Sequence, residues 1–336
     1  MSGVQTLTVA PEDAEIRLDR WFKRHFPALA HGRLEKLLRT GQIRLDGKRV
    51  DASDRVVAGQ RIRVPPLPAA PLPGAKPSRP PPSTADARLL QQRVLYRDDE
   101  IIVIDKPEGL AVQGGTGTSR HLDGLLDALR FDAPERPRLV HRLDKDTSGV
   151  LVLARGARAA SRLAEQFRGK SVRKVYWAIT VGAPKPRQGK IDQPLAKEAG
   201  PDGVEHVAAA DEQGDRALTY YRTVSRAGDR FAWLALEPVT GRTHQLRVHC
   251  LELGTPILGD GKYGGAAAHP ASLPQAKKLH LHARAIALPR SNGKMLRVTA
   301  PLPPHMHETW NFFGFEEASE RDPFADLAPA ATKAAR

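Results

Sequence analysis

Between residues 65 and 82, nine of 18 positions are proline: Pro65, Pro66, Pro68, Pro71, Pro73, Pro77, Pro80, Pro81 and Pro82. Proline fixes φ and has no backbone N–H, so such a run enters neither a regular helix nor the middle of a sheet. It is expected to be a semi-rigid, extended tether of roughly 3 Å per residue. A core cannot run through it, and the 336-residue chain therefore divides. The expected organisation is a small domain at 1–64, a linker at 65–88, a large domain at 89–316 and a disordered tail at 317–336, where Ala, Asp, Glu and Lys dominate.

The small domain has two amphipathic stretches. Leu18, Trp21, Phe22 and Phe26 fall on one helical face, and Leu34, Leu37 and Leu38 begin a second short helix. Asp46-Gly47 is a two-residue hairpin signal between residues 43–45 and 48–50, and residues 61–64 alternate like a closing strand. From Glu12 to Val64 there are 13 Lys or Arg and 8 Asp or Glu. Many of these cations lie on the two helices: Arg17, Arg20, Lys23, Arg33, Lys36 and Arg39.

The large domain mixes element types. Strands are predicted at 101–105, 150–154, 175–181, 218–225, 231–237, 279–288 and 295–300, and helices at 118–130 and 157–168. Successive strands often follow without a helix between them, which excludes regular βαβ alternation. The fold class is therefore α+β, with a largely antiparallel sheet.

Charge restricts the partner. Lys and Arg number 52 against 38 Asp and Glu, a net charge of +14. Such a surplus attracts polyanions, and neutralised phosphates release counterions, so nucleic acid is the expected partner. The one cysteine, Cys250, excludes an intramolecular disulfide and reads as a buried helical thiol. No signal peptide and no membrane-length apolar run is read, giving a cytoplasmic protein with no membrane partner. No Walker-type or dinucleotide-binding glycine pattern occurs. The glycines of residues 113–117 are expected to form a turn at the rim of a site.

Two polar runs carry the candidate chemistry. His141-Arg142-Leu143-Asp144-Lys145-Asp146-Thr147-Ser148-Gly149 stands immediately before a buried strand, where loop residues are placed for function. On physical grounds alone Asp144 is a candidate nucleophile or general base and Asp146 a loop former, and a surface ion-pair cluster accounts for the same residues. Gly241-Arg242-Thr243-His244-Gln245-Leu246-Arg247-Val248-His249 is the second run, with Thr243 as the expected N-cap of a helix that carries Arg247. His244 and His249, with His280 and His282, raise the question of a metal, but the spacing does not match the i, i+4 pattern of zinc helices. No metal and no cofactor are expected.

These runs, together with Leu258-Gly259-Asp260-Gly261-Lys262-Tyr263-Gly264, Leu279-His280-Leu281-His282-Ala283 and Lys106-Pro107-Glu108-Gly109-Leu110-Ala111-Val112, resemble the ribosomal large-subunit pseudouridine synthases of the RluA superfamily. The similarity spans about residues 96–315 in the correct order. The continuation Gln113-Gly114-Gly115 resembles the RluC-type branch. The small domain resembles the ribosomal-protein S-four RNA-binding module, which grips shaped RNA through phosphates. The resemblance implies a pseudouridine synthase fold, a mixed and largely antiparallel sheet with flanking helices, preceded by a small α/β module. It implies isomerisation of uridines in structured RNA, 23S rRNA or a ribosome-assembly intermediate above all. No interface-like repeat or coiled coil is read, and a monomer is expected. Asp144 matches the essential aspartate and Arg142 the arginine that helps to extrude the base. Tyr176 matches the tyrosine that stacks on the uracil, Arg247 the basic partner of the aspartate, and Leu281 an apolar wall. His141 is expected to contact RNA beside Arg142. The alternatives are the same reaction on tRNA or other rRNA sites, a non-catalytic RNA-binding or ribosome-assembly factor, an N-glycosidase and a metal-dependent nuclease.

Overall fold

Two adjacent left-handed residues, Asp46 and Gly47, at φ of 49° and 78°, turn the chain in the N-terminal unit where the Asp-Gly signal predicts a turn. The turn closes with reciprocal Leu45–Lys48 backbone bonds of 3.1 and 2.9 Å. Residues 48–50, however, do not continue as a strand. Arg44–Leu45 pairs instead with Arg61–Val64, which also pairs with Gln5–Thr8, a strand outside the expected set. Asp46 secures this arrangement, its carboxylate accepting from the Arg61 N–H at 2.8 Å. Against this three-stranded sheet lie the helices Leu18–His25 and His31–Arg39, with Leu18, Trp21, Phe22, Leu34, Leu37 and Leu38 buried together. These helices bury the residues that their 3.6-residue periodicity selects.

The computed structural model describes residues 4–29, 31–67, 83–114, 118, 120–199, 205–211, 213–273, 277–317 and 323–324. The chain separates into two units, Met1–Pro80 and Pro81–Arg336. Most of the proline-rich run and most of the tail lie outside the described residues. The end of the expected linker does not: residues 84–88 belong to the helix Thr84–Gln92, capped by Ser83, whose hydroxyl accepts from the Asp86 N–H. The tail contributes Phe324, 1% exposed, to an apolar cluster with Trp310 and Phe315.

The large unit is built on a ten-stranded sheet. Its main path runs Val94–Arg97, Ile101–Lys106, Ser148–Ala154, Leu281–Pro289, Arg173–Val181, Phe231–Pro238, Leu218–Ala227 and Gln188–Asp192. Only the Ser148–Ala154/Leu281–Pro289 pairing is parallel, so the sheet is mixed and largely antiparallel, as expected. Alternation along Ile101–Lys106 sends Ile102 and Ile104 to one apolar cluster and Ile101 and Val103 to another. The strand is buried on both faces because helices cover both. Ala159 and Leu163 of the helix Ala157–Arg168 pack on one side, and Leu90, Leu122, Leu126 and Leu129 on the other.

The helix expected at 118–130 is only Leu122–Leu125 followed by a 3-10 turn, Leu126–Leu129. His121 starts it, its ring accepting from the Gly124 N–H at 3.1 Å. Glycine in a helix interior costs about 1 kcal/mol relative to alanine, consistent with the short run. The strands Gln188–Asp192, Leu195–Ala199 and Glu205–Ala209 and the helix Pro304–Phe313 lie outside the expected set. Among the described residues no helix is long and apolar enough to cross a membrane.

Candidate active site

The loop before Ser148–Ala154 is held from three directions. Ser148 Oγ meets His282 Nδ1 at 2.8 Å, and His282 and Ala283 lie in register with Ser148 and Gly149 across the parallel joint. Gly149 has φ +105°, and a Cβ there would stand 2.3 Å from the Ala283 carbonyl oxygen. No other residue permits this approach. From below, the fully buried Lys106 ammonium donates to the carbonyls of Pro107, Leu110 and Lys145 at 2.9, 2.8 and 3.0 Å. Burial lowers its pKa to about 8, against the opposing pull of Asp146 and Asp144. The Thr147 N–H closes the turn onto the Asp144 carbonyl at 3.2 Å.

This scaffold separates the two carboxylates that the sequence leaves together. Asp144 lines a cavity of about 560 Å³, and Asp146 does not. His141, Arg142, Tyr176, Arg247 and Leu281 line the same cavity, within the size range of small-molecule sites. Tyr176 comes from Arg173–Val181 and lies between Ala283 and Leu236 of its neighbours. A bulge at Ala283/Ala285 interrupts the pairing beside it, a device that re-aims side chains at sheet sites. Burial and the Asp144 charge push the Tyr176 hydroxyl above the usual phenol range, so it stays protonated. Leu281, 3% exposed, forms apolar wall. Lys174 also lines the cavity, and burial lowers its pKa to about 8. Arg142 is exposed.

His141 stands in the cavity wall. Its Nε2 accepts from the Val152 N–H at 2.8 Å, and its ring stacks on Phe167 at 4.4 Å. Burial drives its pKa to about 3, so the ring is neutral and its bonded nitrogen belongs to the strand.

The opposite wall is the segment leading into the helix Gln245–Glu252. Its N-cap is His244, not Thr243, at φ +54° and without a side-chain capping bond. Gln245 knits the turn: its side-chain oxygen accepts from the Arg242 N–H at 3.0 Å and from Thr240 Oγ1 at 2.8 Å. Cys250 is fully buried on this helix.

Arg247 differs from expectation in its contact. Its guanidinium binds Asp260 in bidentate fashion, Nε and Nη2 donating at 2.8 and 2.6 Å, and lies 4.9 Å from the centre of the Tyr263 ring. Asp260 is 1% exposed. Asp144 is not within ion-pair distance of Arg247, although its charge helps to hold the guanidinium protonated against burial. The basic group that approaches Asp144 is His244, with Nε2 3.9 Å from Oδ1. Sequence reasoning gives no site role to Asp260, Tyr263 or Lys106, and reads His244 only as a capping or RNA-contacting histidine. All four lie inside the recognised motifs, but their pairing requires the fold.

In the N-terminal unit, Arg17, Lys36 and Arg39 line a separate groove with Asp19 and Glu35. Arg20, Lys23 and Arg33 are exposed outside it. Arg17 is already paired with Asp19 at 2.9 Å.

Residues 100–252 match the family described as RNA pseudouridylate synthase. The chain is 35% identical to RNA pseudouridine synthase 4, mitochondrial, of Arabidopsis thaliana, covering 87% of this chain and 78% of that protein. It is 36% identical to ribosomal large subunit pseudouridine synthase C of Rickettsia bellii, covering 87% and 96%. Among solved structures, human RNA pseudouridylate synthase domain containing 4 aligns with a TM-score of 0.58 and 32% identity, over 68% of this chain and 95% of that one. The matched stretch contains the Asp144 loop, Tyr176 and Arg247, and both named relatives align over 87% of this chain: the chain belongs to the RluA-type RNA pseudouridine synthases, and is an isomerase.

Proposed function

We propose that the chain converts specific uridines of large-subunit 23S rRNA to pseudouridine, with Asp144 as the carboxylate that reacts. The observation that carries this reading is the convergence of Asp144, Tyr176, Arg247 and Leu281 on one cavity. The reaction breaks the C1′–N1 bond, turns the uracil, and joins C1′ to C5. The proton lost from C5 is balanced by one gained at N1, so no redox partner or energy source enters.

A stacked base is out of reach, and flipping it costs a few kcal/mol. Arg142, exposed at the cavity, fills the vacated space. Arg168, Lys170, Lys174 and Arg242, also at the cavity, hold phosphates and offset part of that cost. Tyr176 offers a flat face to the base, and base–aromatic stacking contributes about 1–3 kcal/mol. Leu281 keeps water from one side. Asp144, half-shielded with its side chain 20% exposed, attacks carbon or removes a proton. Arg247, fixed by Asp260, forms part of the opposite wall of the cavity. Arg17, Arg20, Lys23, Arg33, Lys36 and Arg39 on the N-terminal helices grip the RNA as an S-four-like module, the enzyme acting as a cytoplasmic monomer.

The large-subunit target is supported by relatives named ribosomal large subunit pseudouridine synthase C. The test is carbodiimide labelling and primer extension on rRNA from cells with and without the protein. Stops that vanish from 23S rRNA in its absence support the target. Unchanged rRNA with lost tRNA modification overturns it.

A further inference from the structure

Tyr263 sits behind His244, and His244 faces Asp144. The Tyr263 hydroxyl lies 2.6 Å from His244 Nδ1, and His244 Nε2 lies 3.9 Å from Asp144 Oδ1. Among the described residues no other basic nitrogen comes within 4 Å of Asp144. We propose that Tyr263 sets the tautomer of His244 so that its Nε2–H faces the Asp144 carboxylate, making this pair a positioning device for the reaction. The inference rests on the reading of Asp144 as the reacting group.

Three observations favour Tyr263 as the donor in this hydrogen bond. The Val207 N–H donates to the Tyr263 oxygen at 3.4 Å, so that oxygen already accepts and its own hydrogen is free for His244. Tyr263 is itself held, its N–H bonded to Asp260 at 3.2 Å and its ring against Arg247 and His206. Burial raises its pKa, so it remains a phenol and a donor. A neutral imidazole that accepts at Nδ1 carries its hydrogen at Nε2. The opposite tautomer would turn a nitrogen lone pair toward the carboxylate.

Neutrality of the ring is equally defined by its surroundings. Burial lowers the His244 pKa; Asp144 and Asp260 favour the charged ring, and Arg247 and Lys262 oppose it. A neutral donor orients Asp144 without cancelling its charge, whereas an imidazolium would form an ion pair and blunt it. His244 also occupies a left-handed backbone position at φ +54°. Side chains other than glycine adopt it at a cost, and such positions persist where the surroundings hold them. Arg247, bound to Asp260, leaves this position beside Asp144 to His244.

The test uses the full-length enzyme and an in vitro rRNA transcript carrying tritium at uridine C5, read as tritium release at saturating RNA. Tyr263→Phe removes one oxygen. It is expected to lower kcat by about tenfold to a hundredfold, the loss that outer hydrogen-bond partners of histidine ligands show at metal sites, and to leave KM and melting temperature unchanged. Loss of a bond to the neutral ring also favours protonation, so the acid limb of the kcat profile moves to higher pH. His244→Gln keeps an N–H donor and has no tautomers to choose. It is expected to lose less than His244→Ala, and Tyr263→Phe added to it should change nothing further. If Tyr263→Phe does not fold, the comparison of Gln and Ala at 244 still decides.

Wild-type kcat and pH profile in Tyr263→Phe overturn the relay, as do equal losses in the Gln and Ala variants or independent losses in the double variant. Asp144→Asn separates the two levels. An inactive Asp144→Asn beside a normal Tyr263→Phe removes the relay alone, and an active Asp144→Asn removes the reading beneath it as well.

Discussion

Replacing Asp260 with Asn leaves the Arg247 guanidinium in place and takes away its counter-charge. The Arg247 side chain is 9% exposed and that of Asp260 is fully buried, with two short bonds between them. Solvent cannot supply the missing charge. Breaking one partner of a buried ion pair costs about 3–5 kcal/mol, because the remaining ion is uncompensated. For a unit of this size, each kcal/mol lowers the melting temperature by about 2–4 °C, so a drop of roughly 6–20 °C is expected. The pair itself is worth less than this, because its desolvation cost is large. Arg247→Met combined with Asp260→Asn should therefore be less destabilised than the sum of the single variants. Urea unfolding of the four proteins gives the coupling directly. A cost below about 1 kcal/mol for Asp260→Asn, or strict additivity, would refute the view that Asp260 fixes Arg247.

Two further outcomes follow from the same structure. Gly149→Ala forces a Cβ to 2.3 Å from the Ala283 carbonyl oxygen at a backbone φ of +105°, so it should lose several kcal/mol and most soluble expression; near-normal urea unfolding would contradict this. His141, His280 and His282 are held near pKa 3 by burial, against about 6.5 unfolded. The unfolded chain takes up protons that the fold excludes, so stability is full above about pH 6.5 and falls toward pH 3, by about 1.4 kcal/mol per pH unit for each ring. Urea midpoints at pH 7.5 and 5.5 read this, and equal midpoints would contradict it.

Legibility in the sequence followed the physical origin of each feature. The strands 101–105 and 150–154 are apolar on both faces and stand between turn signals, so residues 101–106 and 148–154 were found within a few positions. Gln188–Asp192 has largely exposed side chains at the sheet margin and leaves little hydrophobic pattern. Thr84–Gln92 lay hidden behind its proline-rich neighbours. At the site, ordered motifs singled out Asp144, Tyr176, Arg247 and Leu281 as candidates, and the fold gathers them into one cavity. The partner of Arg247 did not follow, because Asp260 lies 13 positions away and the pairing depends on how Gln245–Glu252 meets the loop beyond it. The expected Thr243 cap failed for a similar reason: the left-handed turn at His244 moves the helix start one residue onward.

The central claim, that Asp144 performs the isomerisation, is tested by one comparison. Wild-type protein and Asp144→Asn are incubated with a 23S rRNA transcript, and pseudouridine is read by carbodiimide labelling and primer extension. Asparagine keeps the size and the polarity of the side chain but neither ionises nor attacks carbon. The account expects specific stops with wild type, none with Asp144→Asn, and the same melting temperature for both proteins. Stops of equal strength with Asp144→Asn would contradict it.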